Sequence, residues 1–414
     1  MAVENIVIVG GGLAGATAAK TLRTEGFEGP LTLLAEEAHA PYLRPPLSKE
    51  YLLGKDGEDA LPVVPAAWYA ENDVDLRLGV PVTGLNAAAR TVRLGDGGRL
   101  GYSALLLATG ARPRSIPLPG SGLAGVMTFR TLEDSRRLRE ALSGGGRNVV
   151  LVGSGWIGME LAAAANAYGN AVTLLGLEQV PLAAAIGPEL GSFFRSLHES
   201  RGVRFMLPAS AAEIIGDARR VTGVRTNAGD VLAADLVVVA VGVVPETSLA
   251  AAAGLELNNG ILTDASLRTS APGVFAAGDV ANALHPFTGA HHRSEHWSNA
   301  LNGGKVAGRA MLGLDAALDT IPYFYTDQYD VSMEYSGFGS LVEGPPVLRG
   351  SVEERSFLAF WQRGGRVVAG MNVNWPRSDK PQKAIKALIT ARAAVSPEAL
   401  ADPDVPLGQL LPGA

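Results

Sequence analysis

Apolar positions in this chain gather in two ways, and the two alternate. Short runs dense in Val, Leu and Ile mark strands at Ile6–Val9, Leu31–Ala35, Ala104–Ala108, Arg147–Val152, Ala171–Leu175 and Asp235–Val241. Ala-rich stretches of helical character follow two of them, one from Ala16 to Leu22 and one running through Tyr168. Between these units the pattern loosens. The Pro-rich passage Ala40–Lys49 reads as a rigid extended loop running into a helix near Ser48. A strand near Val74–Leu78, another at Pro81–Val82 and a hairpin at Gly95–Gly98 follow, and Gly144–Gly146 makes a flexible break. From Pro322 onward the segments become aromatic and β-type: Tyr323–Tyr325, Val331–Tyr335, Val347–Leu348, Phe357–Trp361 and Val367–Val373. A helix over Gln382–Ala394 closes the chain. The pattern predicts an α/β protein whose last part is a separate mixed domain.

The first strand feeds a Gly10-x-Gly12-x-x-Gly15 turn. Each glycine has its own task there: the first permits the bend, the second lets backbone approach a pyrophosphate, and the third lets helix and strand pack closely. Phosphates sit well at a helix N-terminus, where free N–H groups and the positive dipole end favour anions. The second strand ends at Glu36, 21 residues after Gly15, where a carboxylate can hydrogen-bond an adenosine ribose. The pattern then repeats, with Gly153-Ser154-Gly155-Trp156-Ile157-Gly158 after Arg147–Val152 and with Asp235–Val241 ending in Gly242, as Ala104–Ala108 ends in Thr109-Gly110. Two copies of one nucleotide-binding unit imply transfer between two cofactors. Gly273–Asp279 adds a short apolar strand that delivers an aspartate, a carboxylate for a cofactor's polyol.

Composition removes several chemistries. At 414 residues, 47% apolar and 18% charged, the chain has the makings of two or three globular domains. A net charge of −6 gives a nucleic-acid role no global support. Cysteine is absent, which excludes disulfides, thiolate metal sites, Cys-ligated iron–sulfur clusters and a redox-active cysteine pair. No signal peptide and no apolar run of about 18 residues is visible, so the expectation is a cytoplasmic protein without a membrane span.

Read together, Gly10–Gly15, Arg44-Pro45-Pro46-Leu47-Ser48-Lys49, Ala108-Thr109-Gly110, Gly153–Glu160, Gly273–Asp279, Glu295–Ala300 and Thr326-Asp327-Gln328-Tyr329-Asp330 resemble the FAD-dependent, NAD(P)H-using ferredoxin reductases that serve oxygenases and cytochromes P450. The resemblance spans essentially the whole chain. It implies two Rossmann-like dinucleotide-binding domains of the glutathione-reductase type plus a C-terminal mixed α/β domain. Residues 1–110 and 245–320 would bind FAD, 111–244 the nicotinamide coenzyme, and 321–414 would form an interface domain.

By matching position, the resemblance puts Gly10, Gly12, Ala14 and Gly15 on the FAD pyrophosphate, Glu36 on the adenosine ribose and Val82 near the adenine. Arg44, Ala108, Thr109, Gly110, Arg130, Asp279 and Trp297 join them, with Asp279 on the ribityl chain and Trp297 against the isoalloxazine. Lys49 approaches the flavin N5/O4 edge, where a cation stabilises reduced flavin. Glu160 pairs with Lys49 and orients the nicotinamide, and Gly153, Gly155, Ile157, Gly158, Glu178 and Gly242 cradle the coenzyme. In the aromatic pair Phe324-Tyr325, Tyr325 stands where the family usually has tryptophan. Gly176 replaces the usual ribose acid, with Glu178 as its substitute. No Arg or Lys follows to receive a 2′-phosphate, so NADH is expected over NADPH.

Related disulfide reductases carry a cysteine pair about where Arg44–Lys49 lies. Without one, electrons must leave from the flavin itself, and its ability to release them singly suits a one-electron acceptor such as a [2Fe-2S] ferredoxin. A ferredoxin is acidic, and Lys380, Lys383, Lys386 and Arg392, with Arg377, outnumber Asp379 across residues 377–392. Arg136, Arg137 and Arg139 form a second candidate docking face. The oligomeric state stays open between monomer and homodimer. So do a rubredoxin or other acceptor and a flavin-containing signalling role of the apoptosis-inducing-factor type.

Overall fold

Runs that are apolar at every position need cover on both faces, and parallel sheets flanked by helices provide it. A computed structural model describes residues 3–217 and 219–412. The chain forms two compact units, one from residues up to Leu43, Glu58–Arg112 and Val244–Tyr323, the other from Arg44–Gly57, Pro113–Val243 and the chain from Phe324 onward.

The first unit is built on a parallel sheet ordered Val274–Ala276, Ala104–Leu107, Ile6–Val9, Leu31–Leu34, Val74–Arg77. Ile6–Val9 lies at the centre, buried throughout. Helix Leu13–Thr24 buries Ala14, Ala16, Ala18, Ala19 and Leu22, and helix Trp297–Met311 crosses it closely. Close crossing needs small residues. A Cβ on Gly304 would lie 2.5 Å from the Ala14 carbonyl oxygen, and one on Gly308 2.9 Å from Thr21 Cβ. On the other side, the meander Val82–Asn86, Thr91–Leu94 and Arg99–Gly101 packs Val92 and Leu94 against Leu105 and Leu107.

The second unit repeats the parallel sheet, ordered Arg204–Met206, Ala171–Leu175, Asn148–Val152, Leu236–Val239, Val126–Thr128. Helices Leu132–Leu142, Trp156–Ala167 and Ala183–Glu199 belong to it. A second sheet is ordered Tyr323–Gln328, Val331–Gly337, Arg366–Val373, Ser356–Arg363, Glu343–Ser351, and its last four strands pair antiparallel. One apolar core joins the two sheets, with Leu151, Met159 and Phe194 from one side and Phe357, Met371 and Val373 from the other. Arg44–Gly57 is locked into this unit. Leu52 enters the core, Ser135 Oγ donates to the Leu47 carbonyl at 2.7 Å, and Tyr168 Oη donates to that of Leu52 at 2.8 Å.

Two helices are shorter than their sequence patterns. The Pro-rich loop ends in a single 3₁₀ turn, Pro45–Ser48, because Lys49 leaves helical geometry at φ −125° and ψ −113°. The last predicted helix runs over Pro381–Thr390, and Arg392 beyond it sits at φ +49°. No helix among the described residues is long and apolar enough to cross a membrane.

Candidate active site

In the first unit the glycines of the opening turn have distinct steric roles. Gly10 has φ +122°, and a Cβ there would meet the Ala108 carbonyl oxygen at 2.0 Å. A Cβ on Gly15 would lie 2.1 Å from the Gly10 carbonyl oxygen, whereas one on Gly12 would meet nothing within 4 Å. Gly12 is the N-cap of the following helix, which has no side-chain cap and no acid in its first turn. The backbone there is open and its N–H groups suit an anion.

The second unit reproduces this almost atom for atom. Gly153 has φ +119° with the Ala240 carbonyl oxygen 2.2 Å from its would-be Cβ, a Cβ on Gly158 would lie 2.0 Å from the Gly153 oxygen, and Gly155 is open. Helix Trp156–Ala167 likewise starts on an uncapped glycine. Both turns therefore fit a dinucleotide pyrophosphate. Gly176 is explained by packing, since a Cβ there would sit 2.2 Å from Ser154 Oγ. Glu178 accepts from the Ala184 N–H at 3.0 Å, at the start of helix Ala183–Glu199, so one of its oxygens already has a partner. Ile157 is exposed at 44%, and Gly242, at φ +90°, accepts from the Arg114 N–H at 2.9 Å.

Around the first turn, Glu36 is exposed just past its strand, and Val82 is half-buried where the meander begins. Thr109 Oγ1 donates to the Glu246 carbonyl at 2.7 Å, and Gly110 accepts from the Glu246 N–H at 2.9 Å. Asp279 lies on the buried turn Gly278–Val280, held against the first helix because a Cβ on Gly278 would be 3.1 Å from Ala14 Cβ. Trp297 opens its helix after His296. Burial lowers the His296 pKa to about 4, with Asp279 opposing the shift, and the ring is neutral.

The densest chemistry lies in the second unit. Glu160, buried on helix Trp156–Ala167, receives three donors: Lys49 Nζ at 2.8 Å and Thr326 Oγ1 at 2.6 Å on Oε1, and Ser48 Oγ at 2.5 Å on Oε2. Lys49 is only 6% exposed, and its ammonium lies 5.3 Å from the Tyr325 ring centroid. Burial opposes its charge, but Glu160 beside it, helped by Tyr325 and Asp327, outweighs burial and holds the pKa above the usual lysine value. Arg44 Nη1 donates to the Arg130 carbonyl at 2.7 Å, which brings those two predicted residues together. Pairing of Lys49 with Glu160 was legible from sequence. Ser48 and Thr326 were not assigned, although both lie in the quoted motifs.

The two basic candidates differ. Lys380, Lys383 and Arg392 are exposed, while Lys386 is half-buried, and burial lowers its pKa against an opposing pull from Glu334. Arg136 pairs with Glu133 and Arg137 with Asp134, and Arg139 lies 5.7 Å over Tyr51. The face offered by Arg136, Arg137 and Arg139 is thus largely neutralised.

Comparison with known proteins bears on this arrangement. Residues 4–304 match the family model for pyridine nucleotide-disulphide oxidoreductases, and residues 323–411 match that for the reductase C-terminal region. The chain is 40% identical over 415 residues to the ferredoxin–NAD(+) reductase component of the anthranilate 1,2-dioxygenase system of Burkholderia cepacia, covering 99% of this chain and 100% of that one. Identity is 38% over 403 residues to the probable ferredoxin reductase CtmF of Castellaniella defragrans, covering 97% of each. Among solved structures, the covalent putidaredoxin reductase–putidaredoxin complex is similar with a TM-score of 0.94 and 33% identity over 98% of both chains.

Proposed function

The chain belongs to the pyridine nucleotide-disulphide oxidoreductase family, and we propose that it works there as an NADH-dependent ferredoxin reductase feeding a cytochrome P450 or a ring-hydroxylating oxygenase. Its fold is the α/β one expected, with two Rossmann-like dinucleotide-binding domains and a C-terminal domain. FAD, when bound, supplies the conversion of a two-electron hydride into single electrons for a [2Fe-2S] ferredoxin.

The observation that carries this reading is the buried Lys49–Glu160 pair in a chain without cysteine. Where a disulfide reductase keeps a dithiol, this chain keeps a fixed positive charge, which suits electrons that leave without a protein thiol. Part of the proposal is the role of each residue. Gly10, Gly12, Ala14 and Gly15 hold the FAD pyrophosphate, with Glu36, Val82, Ala108, Thr109, Gly110, Asp279, Trp297, Arg44 and Arg130 along the rest of the cofactor. Gly153, Gly155, Ile157, Gly158, Gly242 and Glu178 bind the coenzyme. Lys49 stabilises negative charge, and Glu160 holds Lys49. The division into an FAD domain (1–110 and 245–320), a nicotinamide domain (111–244) and an interface domain (321–414) belongs to the proposal too. So does a cytoplasmic setting, where NADH is at hand.

For the partner we propose docking at Lys380, Lys383 and Arg392, with Lys386 contributing less because it is half-buried. Steady-state reduction of [2Fe-2S] ferredoxins and of rubredoxin, each with NADH and NADPH, tests the function. Ferredoxin reduction with NADH is expected. Rubredoxin reduction without any ferredoxin reduction would overturn the acceptor, and a preference for NADPH would overturn the coenzyme.

A further inference from the structure

Beyond Thr326 and the charge of Asp327, the Thr326–Asp330 stretch takes no part in the scheme above, yet it forms one end of a buried polar chain. Thr326 and Gln328 lie on the same side of strand Tyr323–Gln328, each 1% exposed. Thr326 Oγ1 is 2.6 Å from Glu160 Oε1, Gln328 Nε2 is 3.2 Å from Thr326 Oγ1, and His198 Nε2 is 2.8 Å from Gln328 Oε1. Proton placement along these bonds follows from one end. A carboxylate only accepts, so the threonine hydroxyl donates to it and its oxygen accepts from the glutamine amide. The Gln328 carbonyl then faces His198, which must present Nε2–H. Every donor points toward Glu160.

A glutamine in the middle rules out a proton wire, because its amide does not exchange protons in this way at neutral pH. The chain can only hold. Its far end is clamped under strain. Tyr329 adopts φ +57°, unusual for an aromatic residue. Its ring centroid lies 5.0 Å from that of His198, and Arg201 sits 5.3 Å over it. Asp330 accepts from Arg201 at 3.0 Å and from Arg355 at 2.7 Å.

We propose that His198 and Gln328 are positioning residues for the Lys49–Glu160 pair, fixing the Glu160 carboxylate through Thr326 from the C-terminal end of helix Ala183–Glu199. The inference deepens the ferredoxin-reductase reading and rests on it for the use made of the pair. Burial lowers the His198 pKa to about 4 against the Gln328 bond that raises it, so the ring is neutral as the chain requires.

Two measurements on the holoprotein test it. Long-range ¹H–¹⁵N spectra with labelled histidine should show His198 as the neutral Nε2–H tautomer, without titration from pH 5.5 to 9. An Nδ1–H tautomer, or titration near the ordinary histidine value, overturns the chain. Stopped-flow reduction of bound flavin by NADH should slow by roughly tenfold or more in Thr326→Val and Gln328→Leu, as small misplacements near reacting groups do. Thr326→Ser, which keeps the hydroxyl, should restore most of the rate. Wild-type rates in folded Thr326→Val and Gln328→Leu overturn the positioning role. If Lys49→Met also reduces flavin at the wild-type rate, the use assigned to the pair fails instead, and the histidine spectra still decide the chain.

Discussion

His198 ties the stability of this protein to pH. It is fully buried, and its pKa falls from 6.5 to about 4 because burial disfavours the imidazolium, partly offset by Gln328. In the unfolded chain the ring takes a proton near pH 6.5. Between that value and about 4 the unfolded state binds more protons, so stability is full above pH 6.5 and is lost as pH falls. By pH 5 the loss from this one residue is roughly 2 kcal/mol. Urea midpoints at pH 7.5 and 5 should differ by more in the wild type than in His198→Gln, and an unchanged difference would sink the assignment. None of this was readable in the sequence. His198 ends a helix with no motif around it, and it meets Gln328 across 130 residues, Thr326 meets Glu160 across 166, and Ser48 meets Glu160 across 112. Local periodicity carries no information at such separations.

The strand–turn–helix elements are a different case, because the first and third glycine of each turn answer to a nearby backbone carbonyl and leave a sequence signature. The same geometry separates folding from binding. Gly15→Ala puts a methyl group 2.1 Å from a carbonyl oxygen, so it should destabilise the first unit by several kcal/mol, as overpacking in a rigid setting does. Gly12→Ala meets no protein atom within 4 Å and starts from φ −90°, which alanine tolerates. It should leave the melting curve of the apoprotein unchanged yet lower flavin content, because the methyl group would occupy the place proposed for the pyrophosphate. Flavin absorbance per protein, beside the apoprotein melting temperature, checks both. Full flavin occupancy in Gly12→Ala would remove the pyrophosphate from that position. The element lengths that sequence missed have equally local causes, as in the 3₁₀ turn that stops at Lys49. There the proline pair sits in the first turn, and the helix stops where Lys49 leaves helical geometry at φ −125°.

For the whole molecule, a net charge of −6 works against an acidic partner, so association depends on where the positive charge is gathered. Lys383→Glu should weaken ferredoxin reduction, seen in kcat/KM at low salt, by roughly threefold to tenfold, and the difference should shrink as salt is added. NADH–ferricyanide activity should stay at the wild-type level, since that small acceptor needs no docking face. Equal loss of both activities would point to damage elsewhere. Arg137→Glu should do little, because Arg137 already answers Asp134. The sequence put the Lys380–Arg392 cluster first and Arg136, Arg137 and Arg139 second, and the pairing of Arg136 with Glu133 and of Arg137 with Asp134 weakens the second.

The pressing of Gly10 against the carbonyl of Ala108 also bears on how the protein is made. The wall that shapes the opening turn comes from a strand translated well after the turn itself. The Gly278–Val280 turn that seats Asp279 follows later still. In the second copy the matching wall, Ala240, is available before that turn has been synthesised. The steric frame of the first turn, with the Gly278–Val280 turn against Ala14, thus draws on a longer stretch of chain than that of the second.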